Sequence, residues 1–238
     1  RHRLIEATTY SHTQANNQVE NPMIEITNLT KKTGRATSID NLSFSAHPRE
    51  CLGLFGHDGA GKSTLLKLLS GAIPATSGTM KIYDINISTH PIKAKKIIGY
   101  QPESALGHGD MKVKNFLGYM AEVRGFHGLE KRKMVDRAIT RLELWRILDS
   151  PIAALPPGHQ RKVALAQAIL HDPRLLLLDE PTEGLAPLQK QKVGTLIQSL
   201  TEDMTVIIAS RNPEEFSCIC QRALVLSEGR LLADAPIT

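Results

Sequence analysis

The sequence predicts an α/β protein in which a mixed sheet is flanked by helices, with an antiparallel N-terminal β region and an inserted helical lobe. Three observations lead there. Short aliphatic runs, "ECLGLF" (50–55), "RLLLLDE" (174–180) and "TVIIAS" (205–210), have the composition of strands covered on both faces, as parallel sheets require. Stretches with helical spacing of apolar residues alternate with those runs. From residue 102 to about 172 the strand pattern stops and helical periodicity replaces it.

Taken in order, residues 1–21 are polar, aperiodic and rich in Asn, Gln and Thr, and read as a tail or linker. A single domain is expected over 22–238, with 22–101 and 173–238 as core and 102–172 as helical lobe. "MIEITNL" alternates as a half-buried strand and "TSIDNLSFSA" as another, with Pro48 and Arg49 in the turn that follows. The run 50–55 leads through a glycine-rich loop into the leucine-spaced helix "KSTLLKLLSGAI". "TMKIYDINI" (79–87) reads as a strand pair and "KIIGY" (96–100) as a short strand. In the lobe, "DMKVKNFLGYMAEVRGF", "LEKRKMVDRAITRLEL" and the stretch after Pro156–Pro157 are helical. The strand of 174–180, a helix over 186–200, the strand 205–210 and a hairpin over 223–234 complete the order.

Hydrophobic residues make up 41% of the 238, enough for one sizeable core. The longest purely aliphatic stretch, Leu175–Leu178, is far below the roughly 18 apolar residues that span a bilayer, so a membrane role is expected to run through a partner. The net charge of +5 suits an anionic ligand, a membrane surface or nucleic acid and does not choose among them. Cys51, Cys218 and Cys220 are too few for a disulfide framework, which points to a reducing compartment, with the pair Cys218 and Cys220 as packing residues.

"GHDGAGKST", Gly56 to Thr64, matches G-x-x-x-x-G-K-[ST] and stands between a strand and a helix, the context that marks a P-loop NTPase core. Gly56, His57, Asp58, Gly59, Ala60, Gly61, Lys62, Ser63 and Thr64 are thus the phosphate-binding candidates. The glycines let the backbone aim N–H groups at a polyphosphate, with no role given to the His57 and Asp58 side chains. Lys62 places its ammonium on the β- and γ-phosphates, and Ser63 offers a hydroxyl to Mg²⁺. In "LLLLDE" (175–180), Asp179 holds Mg²⁺ through Ser63 or a water, and Glu180 orients the attacking water. Alone, an aliphatic strand ending in Asp-Glu is weak evidence; beside the loop it is strong. No Asn-Lys-x-Asp motif occurs, which argues against a GTPase.

With these motifs in place the chain resembles the ATP-binding cassette (ABC) ATPases from about Met23 to Ala233. Gln101 matches the family's Q-loop glutamine, which touches Mg²⁺. "EPTEGL" (180–185) resembles the approach to the D-loop, "SEGRLLAD" (227–234) the closing hairpin, and Leu155–Val163 the LSGGQ-type signature. The flavour is that of bacterial type-two exporters, including gliding-motility and copper or nitrous-oxide accessory types. The resemblance implies the ABC ATPase architecture, ATP and Mg²⁺ as cofactors, and two cassettes, identical or not, that sandwich ATP. It implies that Gly158 and His159 serve the nucleotide held by the opposite subunit. It also implies a membrane-spanning permease partner, no nucleic acid, and a cytoplasmic position at the inner face of the membrane.

Four positions depart from the family pattern. The signature serine corresponds to Pro156, and Pro157 follows, so a hydroxyl and two N–H donors are gone. Hydrogen bonds to charged groups contribute about 1.5–3 kcal/mol each, so losing two weakens sandwich closure by roughly 100-fold or more. The H-loop histidine corresponds to Arg211, which grips a γ-phosphate but never serves as a neutral imidazole. The D-loop aspartate corresponds to Ala186, and Thr33 stands near the adenine-stacking aromatic. The expectation is a cassette that binds Mg-ATP and hydrolyses it poorly as a homodimer. Two alternatives stay open, a pseudo-ATPase that senses ATP and a soluble ABC protein outside transport. Against the latter, 102–172 lacks the heptads of a repair-type coiled coil, and the chain holds one cassette where translation types hold two.

Overall fold

The computed structural model describes residues 22–34, 36–103 and 107–237; the expected tail over 1–21 lies outside them. Ile24–Thr33 (β1) and Ala36–Ala46 (β2) come first, then Cys51–Phe55 (β3) and the helix Lys62–Leu69 (α1). Ser77–Ile82 (β4), Ile85–Asn86 (β5), the short helix Pro91–Lys95 (α2) and Ile98–Gln101 (β6) follow. Val113–Val123 (α3), Gly128–Leu142 (α4) and Pro157–Ile169 (α5) form a run of helices. Leu175–Asp179 (β7), Pro187–Thr201 (α6), Thr205–Ser210 (β8), Arg222–Ser227 (β9) and Arg230–Pro236 (β10) close the chain.

The main sheet has the order β10-β9-β3-β8-β7-β6. Its neighbours run parallel except for the antiparallel hairpin β9–β10. Every residue of β3, β7 and β8 is buried, and the alternation of the pleat explains why. Cys51, Phe55, Leu176, Leu178, Val206 and Ile208 point into one core, which contains α3, α4, α5 and α6. Leu52, Leu54, Leu175, Leu177, Ile207 and Ala209 point into the other, roofed by α1, α2 and the second sheet. That sheet is antiparallel, in the order β2-β1-β4-β5. Both faces of the central strands are therefore covered, which is the condition for unbroken aliphatic runs.

Pro157 opens α5 at its first position with Pro156 as the cap, where a missing N–H leaves no helical bond unmade. Small residues let α5 lie close on β6: a Cβ on Gly99 would stand 2.2 Å from the Ala168 carbonyl oxygen. Helix α2 is not expected from the sequence; its five residues are too few to set a helical period. Gln101, expected just past its strand, closes β6 itself. The packing role expected of the pair Cys218 and Cys220 needs correction at Cys218. Cys51 and Cys220 are buried with their sulfurs 3.5 Å apart, whereas Cys218 is exposed. Among the described residues, no helix is long and apolar enough to cross a membrane.

Candidate functional site

The site forms at the C-terminal edge of the parallel strands, where β3 hands over to the glycine loop. Gly56 (φ +156°) and Gly61 (φ +106°) are the two glycines that geometry demands. A Cβ on Gly56 would lie 2.4 Å from the Leu226 carbonyl oxygen, and one on Gly61 would lie 2.7 Å from that of Ser38. The loop is thus wrapped against β9 and β2, and it delivers Lys62 as the first residue of α1. Gly229 is clasped onto the same Ser38 carbonyl, a Cβ there also falling 2.7 Å away.

Lys62 is only 6% exposed. Its Nζ donates to the carbonyls of Gly56 (2.7 Å) and His57 (3.1 Å) and stands 3.9 Å from Glu180 Oε1. The Ser63 hydroxyl donates to Asp179 Oδ1 at 3.0 Å. Burial raises the pKa of Asp179, and the Ser63 bond opposes that shift. Glu180 follows β7 in the left-handed region (φ +45°), an uncommon conformation for a residue with a side chain. Its N–H is held by the Ala209 carbonyl at 3.0 Å, and its carboxyl is buried. Burial also raises the pKa of Glu180, with Lys62 and Arg211 pulling the other way. Arg211, just past β8, faces Glu183 at 2.7 Å, Asp58 at 3.4 Å and Glu180 at 3.5 Å.

A cleft of about 470 Å³ opens over Lys62, Ser63 and Glu180, whereas Asp179 and Arg211 are absent from its wall. Asp58 to Thr64, Glu180, Glu103 and Ala36–Ser38 line it. The residues present fit a polyphosphate with Mg²⁺. The loop leaves no room for side chains where backbone must approach, and the buried Lys62 ammonium has only carbonyls to bond. Ser63 and Asp179 supply the hard oxygen ligands that Mg²⁺ takes alongside phosphates. Among the described residues, no three His, Cys, Asp or Glu side chains gather into a metal site of their own.

Gln101 is 1% exposed, pairs in register with Leu178, and has an Nε2 with no hydrogen-bond partner. It lies one strand from Asp179 and is absent from the cleft wall. Gly158 and His159 also stand outside the cleft, in the first turn of α5, with His159 exposed and Gly158 against the Gln189 side chain. Ala186 caps α6, its N–H bonded to Gln189 Oε1 at 3.3 Å. None of the described residues lining the cleft is aromatic, and Thr33 ends β1 outside its wall. Sequence reasoning missed Glu183, Glu103 and Arg161. Arg161 Nη1 bonds the Glu103 carbonyl at 3.0 Å and its Nη2 the Glu183 carbonyl at 3.3 Å. Only "EPTEGL" hinted at any of these; the other contacts carry no local signal.

Residues 39–183 match the family described as "ABC transporter". Over 214 residues the chain is 32% identical to human ATP-binding cassette sub-family A member 6, a match covering 87% of this chain and 13% of that protein. It spans 9–14% of such long human relatives. The Nod factor export ATP-binding protein I of Sinorhizobium fredii is 30% identical over 97% of this chain and 68% of its own length. Among solved structures, a nucleotide-free ATP-binding cassette from an ABC transporter superposes with a TM-score of 0.82 at 19% identity, covering 92% of both chains. A dimeric cassette bound to ADP and Pi superposes with a TM-score of 0.81 at 22% identity, covering 91% of this chain and 99% of the other. At those identities the superpositions speak for the fold.

Proposed function

The chain belongs to the ABC transporter family, and on that premise we propose that it binds Mg-ATP as the nucleotide-binding subunit of an export system and hydrolyses it slowly. One observation carries the reading. Lys62, Ser63 and Glu180, from two separate strand ends, line one cleft, and Asp179 is bonded to Ser63 beside it, the set of groups that phosphoryl transfer to water requires.

The chain's own groups divide the work. Loop N–H groups from Gly59 to Thr64 receive the phosphates, and Lys62 exchanges the Gly56 and His57 carbonyls for phosphate oxygens. Ser63 and Asp179 hold Mg²⁺, which when bound neutralises charge developing on the phosphates. Gln101, at the end of β6, would be a further ligand of that cation. Glu180 accepts a hydrogen bond from the attacking water, and the burial that raises its pKa favours its taking up the proton. Arg211, held by Glu183 and Asp58 beside the cleft, grips the γ-phosphate in this reading. Gly158 and His159 contact the nucleotide bound by a second cassette. Residues 22–101 and 173–238 act as core and 102–172 as helical lobe. The lobe meets a membrane-spanning permease, so the subunit sits at the cytoplasmic face of the membrane. Export is favoured by the Nod factor export relative, whose length the chain largely covers.

Slow hydrolysis follows from Pro156, Pro157 and Arg211. Removing one preorganised donor to a transition state typically costs about 10²–10³ in rate. The test is phosphate release and nucleotide binding measured together on the purified chain, Lys62→Ala and Glu180→Gln. Expected are Mg-ATP binding lost in Lys62→Ala and a low turnover lost in Glu180→Gln. Absence of Lys62-dependent binding would remove the nucleotide reading. Rapid turnover abolished by both substitutions would show that the prolines and Arg211 leave hydrolysis intact.

A further inference from the structure

Arg211 does more in this fold than stand near a phosphate. Its guanidinium meets three carboxylates from three different loop positions: Glu183 through Nη2 at 2.7 Å, Asp58 through Nη1 at 3.4 Å, and Glu180 through Nε at 3.5 Å. No imidazole can do this, since a neutral histidine offers one N–H and a guanidinium offers five in a fixed fork. Glu183 is also held from a second side, its carbonyl accepting from Arg161 of α5.

We propose that Arg211 is a positioning residue: it clamps the segment Glu180–Leu185 to the phosphate loop, with Glu183 as its anchor, and Mg-ATP binding must draw it away from that anchor. The clamp rests on the nucleotide reading for its second half only. In the nucleotide-free protein it fixes where Glu180 lies and joins α5, through Arg161 and Glu183, to the loop that carries Asp58. An entering γ-phosphate competes with Glu183 for the same N–H groups. Glu183 therefore opposes nucleotide affinity, and the protein holds Glu180 in place at the expense of tight binding.

The experiment is a double-substitution cycle of Arg211→Ala and Glu183→Gln on the full chain, with Arg211→Lys as a conservative control. The first readout is hydrogen exchange at the amides of Thr182–Leu185 without nucleotide. Thr182 has its own brace through Glu215 at 2.6 Å, so a moderate effect is expected. Each single substitution should speed exchange by about three-fold and the pair no more than either alone, as a shared, partly exposed ion pair would give. Arg211→Lys should recover part of the protection. The second readout is Mg-ATP affinity: Glu183→Gln should tighten it by about three-fold, Arg211→Ala should weaken it, and the pair should match Arg211→Ala. Unchanged exchange, or additive effects, would overturn the clamp. A tightening by Glu183→Gln that survives in the Arg211→Ala background would overturn the competition. If the chain binds no Mg-ATP at all, the nucleotide reading falls and the exchange data still decide the clamp.

Discussion

His171 shows at the scale of one residue how burial sets chemistry. Its Nε2 lies 2.9 Å from the Ile98 carbonyl oxygen, to which it donates, and the Arg124 guanidinium approaches at 3.2 Å. Burial, then the Arg124 charge, pushes the imidazole pKa down to about 4, with the Ile98 bond resisting. In the unfolded chain the same group takes a proton near pH 6.5. Between those values the unfolded state binds the proton and the folded state does not, so stability falls as pH is lowered through that window, by up to about 3 kcal/mol. Urea unfolding at pH 7 and pH 5 should show about 2 kcal/mol of this loss, and His171→Gln should flatten the slope; an unaltered slope would assign the acid sensitivity elsewhere. The convergence of Lys62, Ser63, Asp179 and Glu180 was legible because the motifs that carry them have fixed local spacing. Glu183 and Arg161 were not, since an ion pair to Arg211 and hydrogen bonds from a helix to distant carbonyls leave no trace in spacing. Arg211 was legible as a departure, but its three carboxylate partners were not.

At the scale of elements, α5 and β6 are held at a distance that only a hydrogen on Gly99 permits. Gly99→Ala would push a methyl group to 2.2 Å from the Ala168 carbonyl oxygen, and overpacking of this kind costs about 1–3 kcal/mol. Gly118, inside α3, has nothing within 4 Å of the point where a methyl group would stand. There alanine should instead stabilise by about 0.5–1 kcal/mol through the entropy of the unfolded chain and helix propensity. Thermal melts of the two variants should move in opposite directions; a shared direction would mean that α5 slides on β6 freely or that α3 is strained. Strands β3, β7 and β8 were readable because covering both faces demands apolar residues at every position. The five residues of α2 were not, because a proline start without a second turn carries no period.

The whole molecule is the scale at which turnover is set, since the proposed catalytic arrangement needs two cassettes. Restoring the departures together, with Pro156→Ser, Pro157→Gly and Arg211→His, should raise phosphate release by about 10²-fold or more if lost donors limit the rate. Unchanged release with intact Mg-ATP binding would place the limit outside these three positions. The alternation of strand and helix made the main sheet predictable, and the N-terminal antiparallel region was visible in its alternating pattern. How the two sheets grip the phosphate loop was not, because that grip is made by backbone. Gly61 and Gly229 close on the Ser38 carbonyl, Gly229 bonds Ala60 and Asp40 through its backbone, and Arg230 holds Asp40. Strand β9 lies along the other edge of β3. On the ribosome, therefore, the glycine loop emerges early and waits. Until the hairpin β9–β10 has left the exit tunnel, β3 has an open edge and the loop has lost one of its walls. A growing chain of this protein closes the last wall around its glycine loop only once that hairpin has been made.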